Sequence, residues 1–195
     1  MKFLCVYLGS AATNDKNFKD SVVLLGKEIV ALGFTLVYGG SSLGMMGLLA
    51  STVQKNGGKV IGVMARQLLE KEKPLETLDE FLIVDSMQER KKLLQQKADM
   101  FLVMPGGIGT LEEVFETWNA IKIGIFDKPI GFLNVNGYFD GLFAFINTCE
   151  KNGFLSSSHA QIPMVSQKLR PLLNKMSEYY YEDHAYKQEN SLGIT

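Results

Sequence analysis

At 195 residues with 46% hydrophobic content, the chain is long enough for one domain with a sizeable core. Its formal net charge of -1 argues against a general nucleic-acid or membrane-surface binder, because neither a phosphate backbone nor anionic lipid attracts it overall. No apolar run is long enough to span a bilayer.

The opening segment "MKFLCVYLGSAAT" has the outline of a clipped signal peptide, but its apolar run from Phe3 to Leu8 is shorter than a normal hydrophobic core region. It reads instead as a first buried strand. Cys5 in that strand and Cys149 in a later helical pattern have neither a C-x-x-C partner nor a histidine cluster. They read as small buried hydrophobes of a protein in a reducing cytoplasm. Phe18, Val22, Leu25, Ile29 and Leu32 recur at spacings of four and three, one face of a helix, and Gly33 sits where a left-handed cap would end it. "FTLVY" is the next strand, followed by a glycine loop and the helix "LGMMGLLASTVQKN", stopped by Gly57 and Gly58. "KVIGVM" and "FLIVD" are further strands. The long charged connection between them, "RQLLEKEKPLETLDE", suits a lid or a solvated loop equally. A helix from Ser86 leads to the strand "DMFLVM" and a helix opening at Thr110. Then follow the strand "IGFLNV", a helix from Tyr138 to Asn152, the strand "IPMVS" and a final helix. Periodicity ends at Tyr181, which sets a domain over 1–181 and an expected frayed tail over 182–195.

Strands apolar on both faces and separated by helices imply a parallel sheet covered on both sides, a single-domain doubly wound α/β fold. In such sheets ligands bind beyond the carboxyl ends of the strands. Three unusual stretches fall there, "VYGGSSLGMMG", "VDSMQERKK" and "MPGGIGTLEE", with Gly9 and Ser10 at a fourth strand end. The first is neither a dinucleotide fingerprint nor a P-loop. Its glycines, Gly39 and Gly40 among them, serve packing or binding equally well.

"PGGIGT" says more. Gly106, Gly107 and Gly109 let successive N–H groups converge at a helix N-terminus, which carries about half a positive charge and is a ready anion site. Thr110 adds a hydroxyl. The same Thr110 and Glu113 also form a T-x-x-E capping box, as Ser86 and Glu89 do one helix earlier, so on local grounds Glu113 reads first as a structural cap. Arg90 shifts the balance. A cation in the first turns of a helix opposes the macrodipole, so either a carboxylate or phosphate at a neighbouring strand end holds it or, with Lys92 and Lys97, it belongs to an exposed basic face.

Taken together, these stretches resemble the LONELY GUY (LOG) family, also labelled lysine decarboxylase-like, over Lys2 to about Tyr180. The resemblance is carried by G-G-x-G-T-x-x-E at Gly106 to Glu113, the R-K pair Arg90-Lys91, the loop "VYGGSSLGMMG" and the segment "GIFDKPIGFLNVNGYFDGL". It implies a Rossmann-like homodimer that hydrolyses the N-glycosidic bond of nucleoside 5′-monophosphates, including cytokinin ribotides, without a cofactor or metal. Arg90 and Glu113 match the family's catalytic pair. Glu72, Lys91, Gly107, Ile108, Gly109, Thr110, Leu111, Glu112 and Asn119 match nucleotide-binding positions, with Gly9, Ser10, Gly39 and Gly40 as further glycine-loop contacts. The sequence departs from the family pattern at Gln88 (usually His), Ser41 (Gly), Asn119 (Thr), Ala120 (Trp), Lys122 (Gln) and Phe126 (His).

Cleavage of a ribosyl C–N bond passes through an oxocarbenium-like state that needs negative charge near the ribose and a positioned water. Glu113 would supply both the charge and a base, with Arg90 orienting it and the loop N–H groups holding the 5′-phosphate. His159 and His184 are solitary, so the sequence offers no metal cluster. Three other readings stand beside the hydrolase. One is a non-catalytic nucleotide-binding regulator and another a structural assembly protein. The third, a pyridoxal-phosphate decarboxylase, would need a Schiff-base lysine at a strand end.

Overall fold

The structure, a computed structural model, describes residues 2–75 and 77–191, with side chains described through Glu182. In chain order its elements are β1 (Lys2–Tyr7), α1 (Lys16–Ala31), β2 (Phe34–Tyr38), α2 (Gly44–Lys55), β3 (Val60–Ala65), β4 (Glu80–Val84), α3 (Met87–Lys97) and β5 (Met100–Val103). They continue with α4 (Ile108–Lys122), β6 (Ile130–Leu133), α5 (Asp140–Lys151), α6 (Ser157–Ala160), β7 (Met164–Ser166) and α7 (Leu169–Ser191). Short 3₁₀ turns at Arg66–Leu68 and Val135–Gly137 follow β3 and β6.

All seven strands are parallel, in the order β4-β3-β2-β1-β5-β6-β7. This is the doubly wound Rossmann-like sheet that the alternating apolar runs imply. Successive side chains leave a strand on opposite faces, and the two cores divide accordingly. Leu4, Val6, Leu36 and Leu102 pack with α1, α2 and α7, whereas Cys5, Tyr7, Val37, Phe101 and Val103 pack with α3, α4 and α5. The strand order reverses between β1 and β5, so their carboxyl ends diverge into helices on opposite faces. A crevice must open there.

Local chemistry sets the helix ends. Asp15 caps α1 by accepting from the Asn17 N–H, and Gly33 follows the helix at φ 69°, the left-handed conformation expected of it. The helix expected to open at Thr110 opens at Ile108, with Gly107 as its cap residue, and the single-turn helix α6 has no counterpart in the sequence reading. The stretch from residue 182, expected to fray, is helical as far as Ser191. Its Glu, Asp, Ala, Lys and Gln residues are adequate helix formers even without an apolar stripe. Residues 192–195 lie outside the described residues.

Candidate active site

The crevice at the switch point is a cleft of about 350 Å³. Its walls come from the end of β1 (Leu8, Gly9, Ser10), the start of α2 (Met46), the connection after β3 (Leu68, Glu72), the start of α3 (Met87, Arg90) and the start of α4 (Gly107 to Thr110, Glu113). The long charged connection is thus a wall of the site. It is tied back to the glycine loop by Ser42 N–H donating to the Lys73 carbonyl at 2.8 Å and by a bridge between Ser41 and Pro74.

Arg90 and Glu113 are both buried at the cleft floor, where Arg90 Nη1 donates to Glu113 Oε1 at 3.1 Å. The remaining guanidinium edges donate to backbone carbonyls, Nε to Val63 at 3.0 Å and Nη2 to Gly39 at 3.2 Å. Arginine presents its donors in a rigid fork, so these contacts, one just past β2 and one within β3, fix both its position and its plane. They also explain one glycine of "VYGGSSLGMMG": a Cβ on Gly39 would run into the guanidinium. Gly40, at φ 82°, packs on Phe81 and Met64. Gly39 and Gly40 therefore shape the site from behind, whereas Gly9 and Ser10 line it.

The start of α4 decides between the two readings of T-x-x-E. Because Gly107 is the cap, Thr110 lies inside the first turn and Glu113 in the second, too far along to return to the cap N–H. The capping box expected from Thr110 and Glu113 is not formed, and Glu113 turns to Arg90 instead. The box at Ser86 half forms: Ser86 Oγ accepts from Glu89 N–H at 3.1 Å, while Glu89 Oε2 accepts from Asp85 N–H at 2.9 Å.

The three glycines of the turn differ in what they meet. A Cβ at Gly106 would collide with the Thr110 side chain and the Gly9 backbone, so this glycine serves packing. A Cβ at Gly107 or Gly109 would meet nothing within 4 Å, and neither residue has a positive φ. Neither packing nor conformation requires glycine at these two positions. What their bareness provides is free approach to the N–H groups at a helix N-terminus, as an anion needs.

Burial lifts the Glu113 carboxyl from its ordinary 4.5 to about 7; Arg90 opposes the shift, and Glu112 adds to it. The result is a carboxyl poised near neutrality, as general acid–base groups require.

The other expected site residues divide. Glu72 reaches the cleft with its Oε2 buried and without a hydrogen-bond partner. Ile108 lines the rim and is 87% exposed. Lys91 points away, its Nζ held by Glu112 Oε1 and Glu116 Oε2, each at 2.5 Å, so Lys91 and Glu112 join α3 to α4 within this chain. Leu111 packs against the core, and Asn119 lines a separate hollow with Phe115, Phe145 and Phe154. Met46, Leu68 and Met87 line the cleft unforeseen, since apolar residues at element starts look in sequence like ordinary core.

Fold and site together define a Rossmann-like α/β protein with an anion-ready helix end beside a buried carboxylate–guanidinium pair. The family model described as "Possible lysine decarboxylase" matches residues 46–176. A rice (Oryza sativa subsp. japonica) protein named probable cytokinin riboside 5′-monophosphate phosphoribohydrolase LOGL9 is 43% identical over 176 residues, 90% of this chain and 78% of its own length. Cytokinin riboside 5′-monophosphate phosphoribohydrolase LOG1 of Arabidopsis thaliana is 39% identical over 178 residues, 91% and 84% of the respective chains. The chain belongs to the LOG family. The molybdenum cofactor carrier protein of Chlamydomonas reinhardtii superposes with a TM-score of 0.68 over 93% of this chain and 98% of its own. A molybdenum cofactor binding protein from Rippkaea orientalis does so at 0.63 over 85% and 88%. At 21% and 19% identity these two structures share the fold.

Three outcomes are expected. If the ionised Glu113 is the working form, kcat/KM climbs with pH and levels off above about 7, measured with a substrate whose own ionisation is accounted for. A flat profile from about pH 5.5 to 8.5 would contradict it. Stability has the opposite sign: the folded state holds this proton more tightly, so the contribution is complete below 4.5 and lost as pH rises through about 7. Gly39→Ala should displace Arg90 and, if Arg90 and Glu113 carry the chemistry, lower turnover by about 100-fold or more; wild-type rates would show that the Gly39 contact is dispensable.

Proposed function

We propose that this protein is a phosphoribohydrolase that cleaves the N-glycosidic bond of a purine nucleoside 5′-monophosphate, AMP or a cytokinin ribotide, to free base and ribose 5-phosphate. The observation that carries the reading is the buried Glu113, raised to about 7 and oriented by Arg90, in the same cleft as the bare N-terminus of α4. The names of the relatives point the same way. No lysine is among the residues lining the cleft, which leaves a Schiff-base decarboxylase without its essential amine.

In this mechanism the 5′-phosphate sits against the N–H groups of Gly107, Gly109 and Thr110, remote from the bond that breaks, and its binding energy positions the ribose. Glu113 stabilises positive charge as the C1′–N bond opens and takes a proton from the attacking water. The departing base takes up one proton, either this one passed on from Glu113 or one drawn from solvent while Glu113 returns its own to solvent. Arg90 keeps the carboxylate aimed and offsets part of the phosphate charge. The unpartnered Glu72 oxygen accepts from an exocyclic amino group of the base, which suits adenine and its N6-alkyl derivatives.

The unit is a homodimer in this reading. Phe115, Phe145 and Phe154 leave an aromatic strip exposed on α4, α5 and the turn after α5, beside the exposed Ile123 and Ile125. A patch of this kind marks an interaction surface, and the second copy implied by the family resemblance is its occupant. Cys5 and Cys149 are free thiols, which supports a reducing, cytoplasmic setting. No helix among the described residues is long and apolar enough to cross a membrane.

AMP should be hydrolysed about 100-fold faster than adenosine, because charged hydrogen bonds to the phosphate together contribute roughly 3 kcal/mol. Equal rates would leave the glycines as a turn and nothing more. Glu113→Gln should reduce turnover on AMP by about two to four decades with folding retained by circular dichroism. Turnover unaffected by the change would remove Glu113 from the chemistry. Phe145→Asp should shift the light-scattering mass from dimer to monomer; a wild-type monomer would refute the dimer.

A further inference from the structure

The turn Pro105–Gly106–Gly107 has a second side. Adjoining the cleft, with which it shares Gly9, Ala11 and Gly107, lies an apolar hollow of about 210 Å³ whose walls include Phe18, Val22, Met45, Met104 and Tyr138. Tyr138 closes this hollow and makes one polar contact there, its hydroxyl donating to the Gly106 carbonyl at 2.7 Å. The ring is held edge-on by Phe18 and Phe139, with centroids 5.5 and 5.0 Å away.

The loop that presents Tyr138 is itself fixed. The buried Asn134 accepts from the Phe139 N–H at 2.8 Å and donates to Asp140 Oδ1 at 2.7 Å. Asn136 and Gly137 reverse the chain at φ 53° and 73°. A non-glycine residue with positive φ is uncommon and persists where its surroundings impose it. Tyr138 thus reaches the turn from a rigid support, although it is itself half exposed.

The Gly106 carbonyl and the Gly107 N–H belong to one trans peptide unit, so they point in opposite directions. Flanked by two glycines, that unit can rotate as a whole at little steric cost. A hydrogen bond on one edge therefore selects where the other edge faces. We infer that Tyr138 is a positioning residue for the anion seat: by holding the Gly106 carbonyl on the hollow side, it turns the Gly107 N–H toward the cleft, where it meets the 5′-phosphate. The inference rests on the phosphate reading above and assigns it a specificity element from outside the cleft.

Tyr138→Phe removes the hydroxyl and keeps the ring contacts. Its kcat/KM for AMP should fall roughly 3- to 10-fold, the effect of one hydrogen bond, and the inhibition constant of inorganic phosphate should rise by the same factor. Hydrolysis of adenosine should stay within about twofold of wild type, since adenosine has no phosphate to place. An unaltered AMP-to-adenosine ratio would overturn the role of Tyr138 alone. Equal losses on both substrates would overturn it too, by showing a structural role for the hydroxyl. Equal wild-type rates on the two substrates would instead remove the phosphate seat on which the inference stands.

Discussion

The buried pair of Arg90 and Glu113 is the interaction around which the rest of the site is arranged. Two charges out of water gain from each other only when the geometry is good and their remaining donors and acceptors are satisfied. Here the guanidinium finds three acceptors on three segments, the Glu113 carboxylate on α4, the carbonyl of Gly39 just past β2 and that of Val63 within β3. Such a pair is a poor device for stability alone, because well-packed apolar residues of similar volume do as well or better. The proposed hydrolysis gives it a reason to stand at the cleft floor.

The sheet topology makes that pair reachable. Strand order reverses between β1 and β5, and the helices that follow them depart on opposite faces. The gap left at their carboxyl ends is where Gly9, Ser10 and the α4 N-terminus face one another. Close approach of the two turns depends on Gly106, whose Cβ would strike the Gly9 backbone, while Gly107 and Gly109 remain open. One short sequence therefore contains two kinds of glycine, one that lets turns pack and two that leave backbone donors uncovered.

Much of this was legible in the residues. Uniformly apolar strands alternating with helical periodicity determined the parallel sheet, and Gly33 ended α1 in the conformation its position required. Arg90 stood out because a cation in the first turns of a helix needs an external partner, and it has one. The role of Glu113 was harder to read. T-x-x-E at the expected start of a helix is a sound capping signal, and only the actual start at Ile108, two residues earlier than expected, withdraws Glu113 from it. Helix boundaries are decided by tertiary fit, which no local pattern contains. Lys91 and Asn119 show the same limit: their positions in the chain matched a binding pattern, but the helix faces they occupy send one to Glu112 and Glu116 and the other to the hollow beside Phe145.

Helix α4 carries both halves of the site, and this has a mechanical consequence. In the proposed reading its N-terminus offers the anion seat, and its second turn carries Glu113, six residues beyond the Gly107 cap and so about 9 Å further along the axis at 1.5 Å per residue. A helix does not stretch, so the separation between seated anion and carboxylate is fixed by the covalent chain. Two other contacts then fix the orientation of that ruler: Arg90 from α3 holds the carboxylate, and Lys91, the next residue on α3, holds Glu112 and Glu116 on the same helix. Adjacent cations on one helix thus do different work on another. In the proposed mechanism Arg90, held by the Gly39 and Val63 carbonyls, aims the carboxylate, while Lys91 ties the outer face of α4 in place so that the aim is kept.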